Sequence, residues 1–102
     1  MLLKCQVGEY GSIGWSAPGH EWVTGMCHGN TNRSAAGADA LLVLVKILAD
    51  AKAAGNISAA VYTQSTDVEL ECNGFHTYDR VCHYDDVDKL RIRAAFSKLT
   101  MD

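Results

Sequence analysis

The chain has 102 residues, 48% hydrophobic and 21% charged, which fits one folded domain and excludes an intrinsically disordered segment. Its net charge of −3 argues against coating nucleic acid by charge alone. The longest apolar run, 41–45, continues to Leu48 only across Lys46, well short of the roughly 20 residues a bilayer span needs, and no signal-like apolar stretch follows Lys4.

Residues 1–7 alternate loosely and stop at Gly8, which predicts a first strand. Residues 11–16 predict a second. Ala17-Pro18-Gly19-His20 then suits a tight turn, because Pro presets φ and Gly accepts a positive one. Residues 21–28 return as a third strand, antiparallel to the second, with Trp15 facing Trp22 across the hairpin. A polar loop, 29–33, leads to a helix capped by Ser34 and rich in alanine. Its segment 40–49 is apolar nearly all round, so it is expected to be buried on more than one side, ending at Gly55-Asn56. Residues 57–63 form an apolar strand, and the helix before it implies a crossover and parallel pairing. Thr66-Asp67-Val68-Glu69 has the form of a capping box opening a short helix to Cys72. Residues 75–84 are a loop or short edge strand. Asp85 or Asp86 caps a last helix, 87–99. The expected class is α+β, with a mixed sheet of three antiparallel strands, a long buried helix, a parallel strand and further helices.

The element order, together with several local segments, resembles the ribonuclease H-like fold. Glu9-Tyr10-Gly11-Ser12-Ile13-Gly14-Trp15 is similar to that family's glycine-rich second strand. Asn30-Thr31-Asn32-Arg33 is similar to the element before its helix, Tyr62-Thr63-Gln64-Ser65 to the end of its parallel strand, and Asp88-Lys89-Leu90 with Arg93-Ala94-Ala95 to its last helix. The resemblance covers most of residues 1–102 and implies two-metal phosphodiester hydrolysis by converging carboxylates. The residues depart from that chemistry. The first strand has no acid, Gln64 replaces the acid at the parallel strand, and Asp39 and Asp88 remain as matches on the two helices. Asp39, Asp88 and Gln64 are therefore read as remnant catalytic positions. The expected function is a non-catalytic ribonuclease H-like domain that binds another macromolecule without a cofactor. Small degenerate domains of this kind are made by phages and mobile elements to interfere with host proteins. The alternative is a divergent Mg²⁺- or Mn²⁺-dependent nuclease, drawing on Glu9 or Asp67 as well.

Other residue groups bear on partners and metals. Residues 67–88 hold seven acids against Arg80 alone, a net −6, which either serves helix N-termini and solvated loops or meets a basic partner. Trp15 and Trp22 are either core or an outward aromatic patch; with Asp85 and Asp86 they form the candidate binding set. A protein partner is expected over nucleic acid, with no membrane, and dimerisation through an edge strand is a further route. Lys89, Arg91, Arg93 and Lys98 dress the last helix without interleaved aromatics. Cys72, His76, Cys82 and His83 are a candidate zinc set, although adjacent side chains suit one tetrahedral ion poorly. Otherwise the expected setting is the reducing cytoplasm, with all four cysteines as thiols.

Overall fold

The computed structural model describes residues 5–25, 27, 29 and 31–100. Four elements follow in order: β1 (Cys5–Gly11), α1 (Ser34–Ala53), β2 (Ile57–Thr63) and α2 (Asp86–Thr100). The strands form a two-stranded parallel sheet in which Val7 faces Ala60 and Tyr10 faces Tyr62. The long helix thus bridges two parallel strands, as the sequence order requires. The rings of Tyr10 and Tyr62 meet edge to face, with centroids 5.1 Å apart. No described helix is long and apolar enough to cross a membrane.

The expected three-stranded antiparallel sheet, and with it the ribonuclease H-like architecture, is not what forms. Residues 11–16 and the described part of 21–28 do not pair with each other; Trp15 instead bridges Thr31 in parallel. Ser16 N–H donates to the Thr31 carbonyl at 2.9 Å, and Thr31 N–H to the Gly14 carbonyl at 3.2 Å. Glycine permits this approach, since a Cβ at Gly29 would lie 2.1 Å from the Trp15 nitrogen. Residues 1–4 of the first expected strand, and Met26, His28 and Asn30, lie outside the described residues.

A disulfide joins Cys27 to Cys72, with Cα atoms 5.8 Å apart across 45 residues of sequence. The expectation of four thiols is corrected accordingly; Cys82 is free and half-buried. The bridge ties the irregular 12–33 stretch to the 64–75 stretch, and the Trp15 N–H donates to the Cys72 carbonyl at 2.7 Å beside it.

The core lies between the helices. Ala38, Leu41, Val45 and Leu48 line one stripe of α1, while Val43 and Ile47 are exposed, so this helix is buried on one side rather than several. Ile92 of α2 packs into the same core, with Ala95, Phe96 and Leu99 beside it, whereas Val87 and Leu90 face out. Asp85 caps α2 by accepting the Asp88 N–H at 2.9 Å. Ser34 does not cap α1; its N-cap is Arg33, which makes no side-chain cap bond. The expected short helix after Thr66 is also absent. Asp67 N–H donates to the His76 carbonyl, the Phe75 and His76 N–H groups both donate to the Ser65 carbonyl, and Val68 pairs with Glu71 across a turn with Glu69 at φ 51°.

Candidate functional site

Asp39 and Asp88 do come together, but onto a side chain rather than an open space. Arg91 lies one turn after Asp88 on α2. Its Nη1 donates to Asp88 Oδ1 at 2.7 Å, and its Nη2 donates to Asp39 Oδ1 on α1 at 2.5 Å. Ser34 Oγ donates to the other Asp88 oxygen at 2.5 Å and accepts the Asp85 N–H at 2.8 Å. The Ser34 hydroxyl first, and Arg91 second, hold the Asp88 carboxyl below its ordinary range; Asp39 first, and Asp88 second, raise the Arg91 guanidinium.

Gln64 belongs to a different set of partners. Its amide donates to Asn73 Oδ1 at 2.7 Å, and Asn73 donates on to Ser12 Oγ at 2.9 Å. Asp67 is buried and accepts the Gly74 N–H at 2.7 Å, and Glu9 lies on exposed β1. Two divalent ions about 4 Å apart need several oxygens turned toward them. Here the two carboxylates that meet are already answered by a guanidinium, Gln64 and Asp67 are bonded elsewhere, and Glu9 is exposed on β1. These residues do not fit a two-metal centre. Among the described residues no three His, Cys, Asp or Glu side chains are grouped to hold a metal.

The candidate zinc set does not assemble either. Cys72 is spent in the disulfide, and His76 Nδ1 lies 3.2 Å from the Ser65 carbonyl. The His83 Nε2 faces Asp67 Oδ2 at 3.4 Å, with both side chains almost fully buried. The His83 ring stacks on Trp15, centroids 4.3 Å apart and planes 5° apart. Burial lowers the pKa of His83, and Asp67 opposes that shift without overcoming it.

The two tryptophans separate. Trp15 is 3% exposed and sits against Tyr84 and His83, out of a partner's reach. Trp22 is 55% exposed and meets the Tyr78 ring edge to face at 5.4 Å. Tyr78 lies at the tip of a hairpin whose stem pairs His76 with Cys82, and Thr77 N–H closes it on the Val81 carbonyl at 2.8 Å. His20 Nδ1 meets Asp79 Oδ2 at 2.8 Å, joining the two loops beneath the rings, and the Thr77 hydroxyl donates to the same carboxyl. Those contacts, Thr77 first, keep the Asp79 carboxyl below its usual range. Val23, next to Trp22 in the chain, and Val81, in the same hairpin as Tyr78, are exposed as well. Of the acidic candidates, Asp85 serves as a cap, while Asp86 is fully solvated and 3.4 Å from Lys89.

Sequence reasoning singled out Trp22 and missed Tyr78, Val23 and Val81. Tyr78 stands alone among polar residues, so no periodicity marks it; the closing Thr77 and Val81 bond is visible only in the fold. No family model and no curated protein matches this chain.

Proposed function

We propose that this chain is a non-catalytic domain that binds a protein partner through the Trp22–Tyr78 patch. The observation that carries the reading is a large, half-exposed indole packed edge to face on Tyr78, on two loops that the His20–Asp79 link joins. Tryptophan and tyrosine supply much contact area at small entropic cost and dominate protein interfaces. Val23 and Val81, exposed on the same two loops, add apolar surface. The exposed carboxylates of Glu69, Glu71, Asp85 and Asp86 favour encounter with a basic protein and oppose a phosphate backbone.

The test is affinity capture on the immobilised chain, wild type against Trp22→Ser and Tyr78→Ser. A protein held by the wild type and weakened at least about tenfold by either substitution is the expected result. The same proteins retained by all three forms would sink the proposal, as would Mg²⁺-dependent cleavage of an RNA–DNA hybrid lost in Asp88→Ala. Sedimentation of the wild type settles a second arm. Self-association that Trp22→Ser abolishes makes the partner another copy; self-association that it leaves intact points to the open edges of β1 and β2.

A further inference from the structure

A cleft of about 610 Å³ lies between α2 and the hairpin that carries His76 and Cys82, apart from the Trp22 ring. Its floor is apolar and largely aromatic: Phe75, Tyr84, Ile92 and Phe96. Phe75 lies 5.8 Å from Tyr84 and 6.3 Å from Phe96, ring to ring, so the floor is a continuous set of π faces and edges. The exposed Lys89 and Arg93 also line it, and among the described residues no carboxylate does. Lys89, Arg93 and Phe96 follow one another at helical spacings of four and three, which places two cations and a ring on one stripe of α2. Phe96 is the one aromatic α2 contributes, and Phe75 and Tyr84 join it from across the fold.

We infer that this cleft binds a small planar aromatic anion, a ring bearing a carboxylate or a phosphate. The volume lies within the roughly 300–1,000 Å³ of small-molecule sites. The floor takes a flat apolar ring, and the two cations take the negative group, for which a guanidinium offers two parallel N–H donors. Arg93 has no hydrogen-bond or ion-pair partner among the described residues. Lys89 has only the solvent-exposed Asp86 at 3.4 Å, a surface contact of little strength that an incoming anion displaces. In a chain of net charge −3, a cleft whose described lining holds two cations and no acid is a local reversal of sign.

The experiment is a two-dimensional NMR titration of the whole chain with indole-3-acetate and, separately, adenosine monophosphate. Their neutral counterparts, indole-3-ethanol and adenosine, serve as references. Saturable shifts centred on Phe75, Lys89, Arg93 and Phe96 are expected, with each anion bound about tenfold or more tightly than its neutral form. The stronger of the two anions identifies the source, carboxylate or phosphate. Lys89→Glu with Arg93→Glu, both exposed positions, removes the preference for the anion, and Ser97→Trp blocks the cleft without touching its charges. Trp22→Ser leaves this binding intact, so the cleft and the protein-binding patch succeed or fail separately. No saturable shift at millimolar ligand overturns the inference. Equal affinity for charged and neutral forms does so too, as does binding that both the charge reversals and Ser97→Trp leave unchanged.

Discussion

Gly37 occupies the interior of α1, where glycine costs about 1 kcal/mol relative to alanine, because Trp15 needs the space. A Cβ at this position would lie 2.4 Å from the Trp15 ring. That ring cannot retreat freely, being held between the Gly37 backbone, the stacked His83 and the edge-packed Tyr84. Gly37→Ala should therefore lower stability by about 1–3 kcal/mol in chemical denaturation, although alanine is the better helix former. An unchanged or raised midpoint would show that Trp15 repacks. His83 contributes a pH dependence at the same place. Its folded pKa lies below the ordinary value of about 6.5, so the unfolded chain takes up the proton first. The contribution of neutral His83 is complete above about pH 6.5 and declines as the pH falls from there toward the folded pKa. His83→Phe keeps a ring against Trp15 and should flatten that part of the stability curve. A curve of the same slope through this window would remove the assignment.

At the scale of elements, the start of α2 is fastened to the start of α1 by Ser34, Asp88, Arg91 and Asp39. Asp88 is held below its ordinary pKa, so the stabilisation is present above about pH 4 and is lost as the pH falls through the folded value. Arg91→Gln removes one of the three groups, with Ser34 and Asp85, that favour the carboxylate. The acid unfolding midpoint should then move to higher pH, with Mg²⁺ having no effect on either form. A midpoint raised by millimolar Mg²⁺ in the variant would mean that Asp39 and Asp88 can hold a cation once the guanidinium is gone. How much of this was legible differs by element. α1, β2 and α2 were readable because apolar spacing, Gly55 and Asp85 mark their faces and ends. The convergence of Asp39 and Asp88 was approached through a resemblance, but Arg91 between them was not, because a charge at i+3 on a helix reads equally well as surface. Residues 12–33 misled because the spacing of Trp15 and Trp22 suits a hairpin as well as the parallel contact of Trp15 with Thr31. Only the close approach at Gly14 and Gly29 separates the two, and that is a tertiary fact.

At the scale of the molecule, the two strands and two helices among the described residues leave the described parts of 12–33 and 64–85 to be organised by something other than regular ladders. Aromatic packing around Trp15 and Tyr84 is one agent, and the Cys27–Cys72 bridge is the other. A bridge spanning 45 residues of chain restricts the unfolded ensemble enough to contribute about 4 kcal/mol on loop-entropy grounds. Against a typical domain stability of about 5–15 kcal/mol, that is a large share. Sequence reasoning reached thiols from the absence of a visible signal segment, an argument about compartment, whereas pairing depends on which cysteines the fold brings together. Reduction should therefore lower the unfolding midpoint substantially, by the equivalent of about 2–4 kcal/mol, and Cys27→Ser with Cys72→Ser should match the reduced wild type. The loss should fall first on the 12–33 segment, so hydrogen exchange at Trp15 and Ser16 should accelerate before exchange within α1 does. Thiol alkylation without reductant should mark Cys82 and spare Cys27 and Cys72. If Cys27 and Cys72 are alkylated in the native protein and reductant leaves the midpoint unmoved, the bridge does not form in solution, and the packing of Trp15 alone must hold the irregular half of the chain against α1.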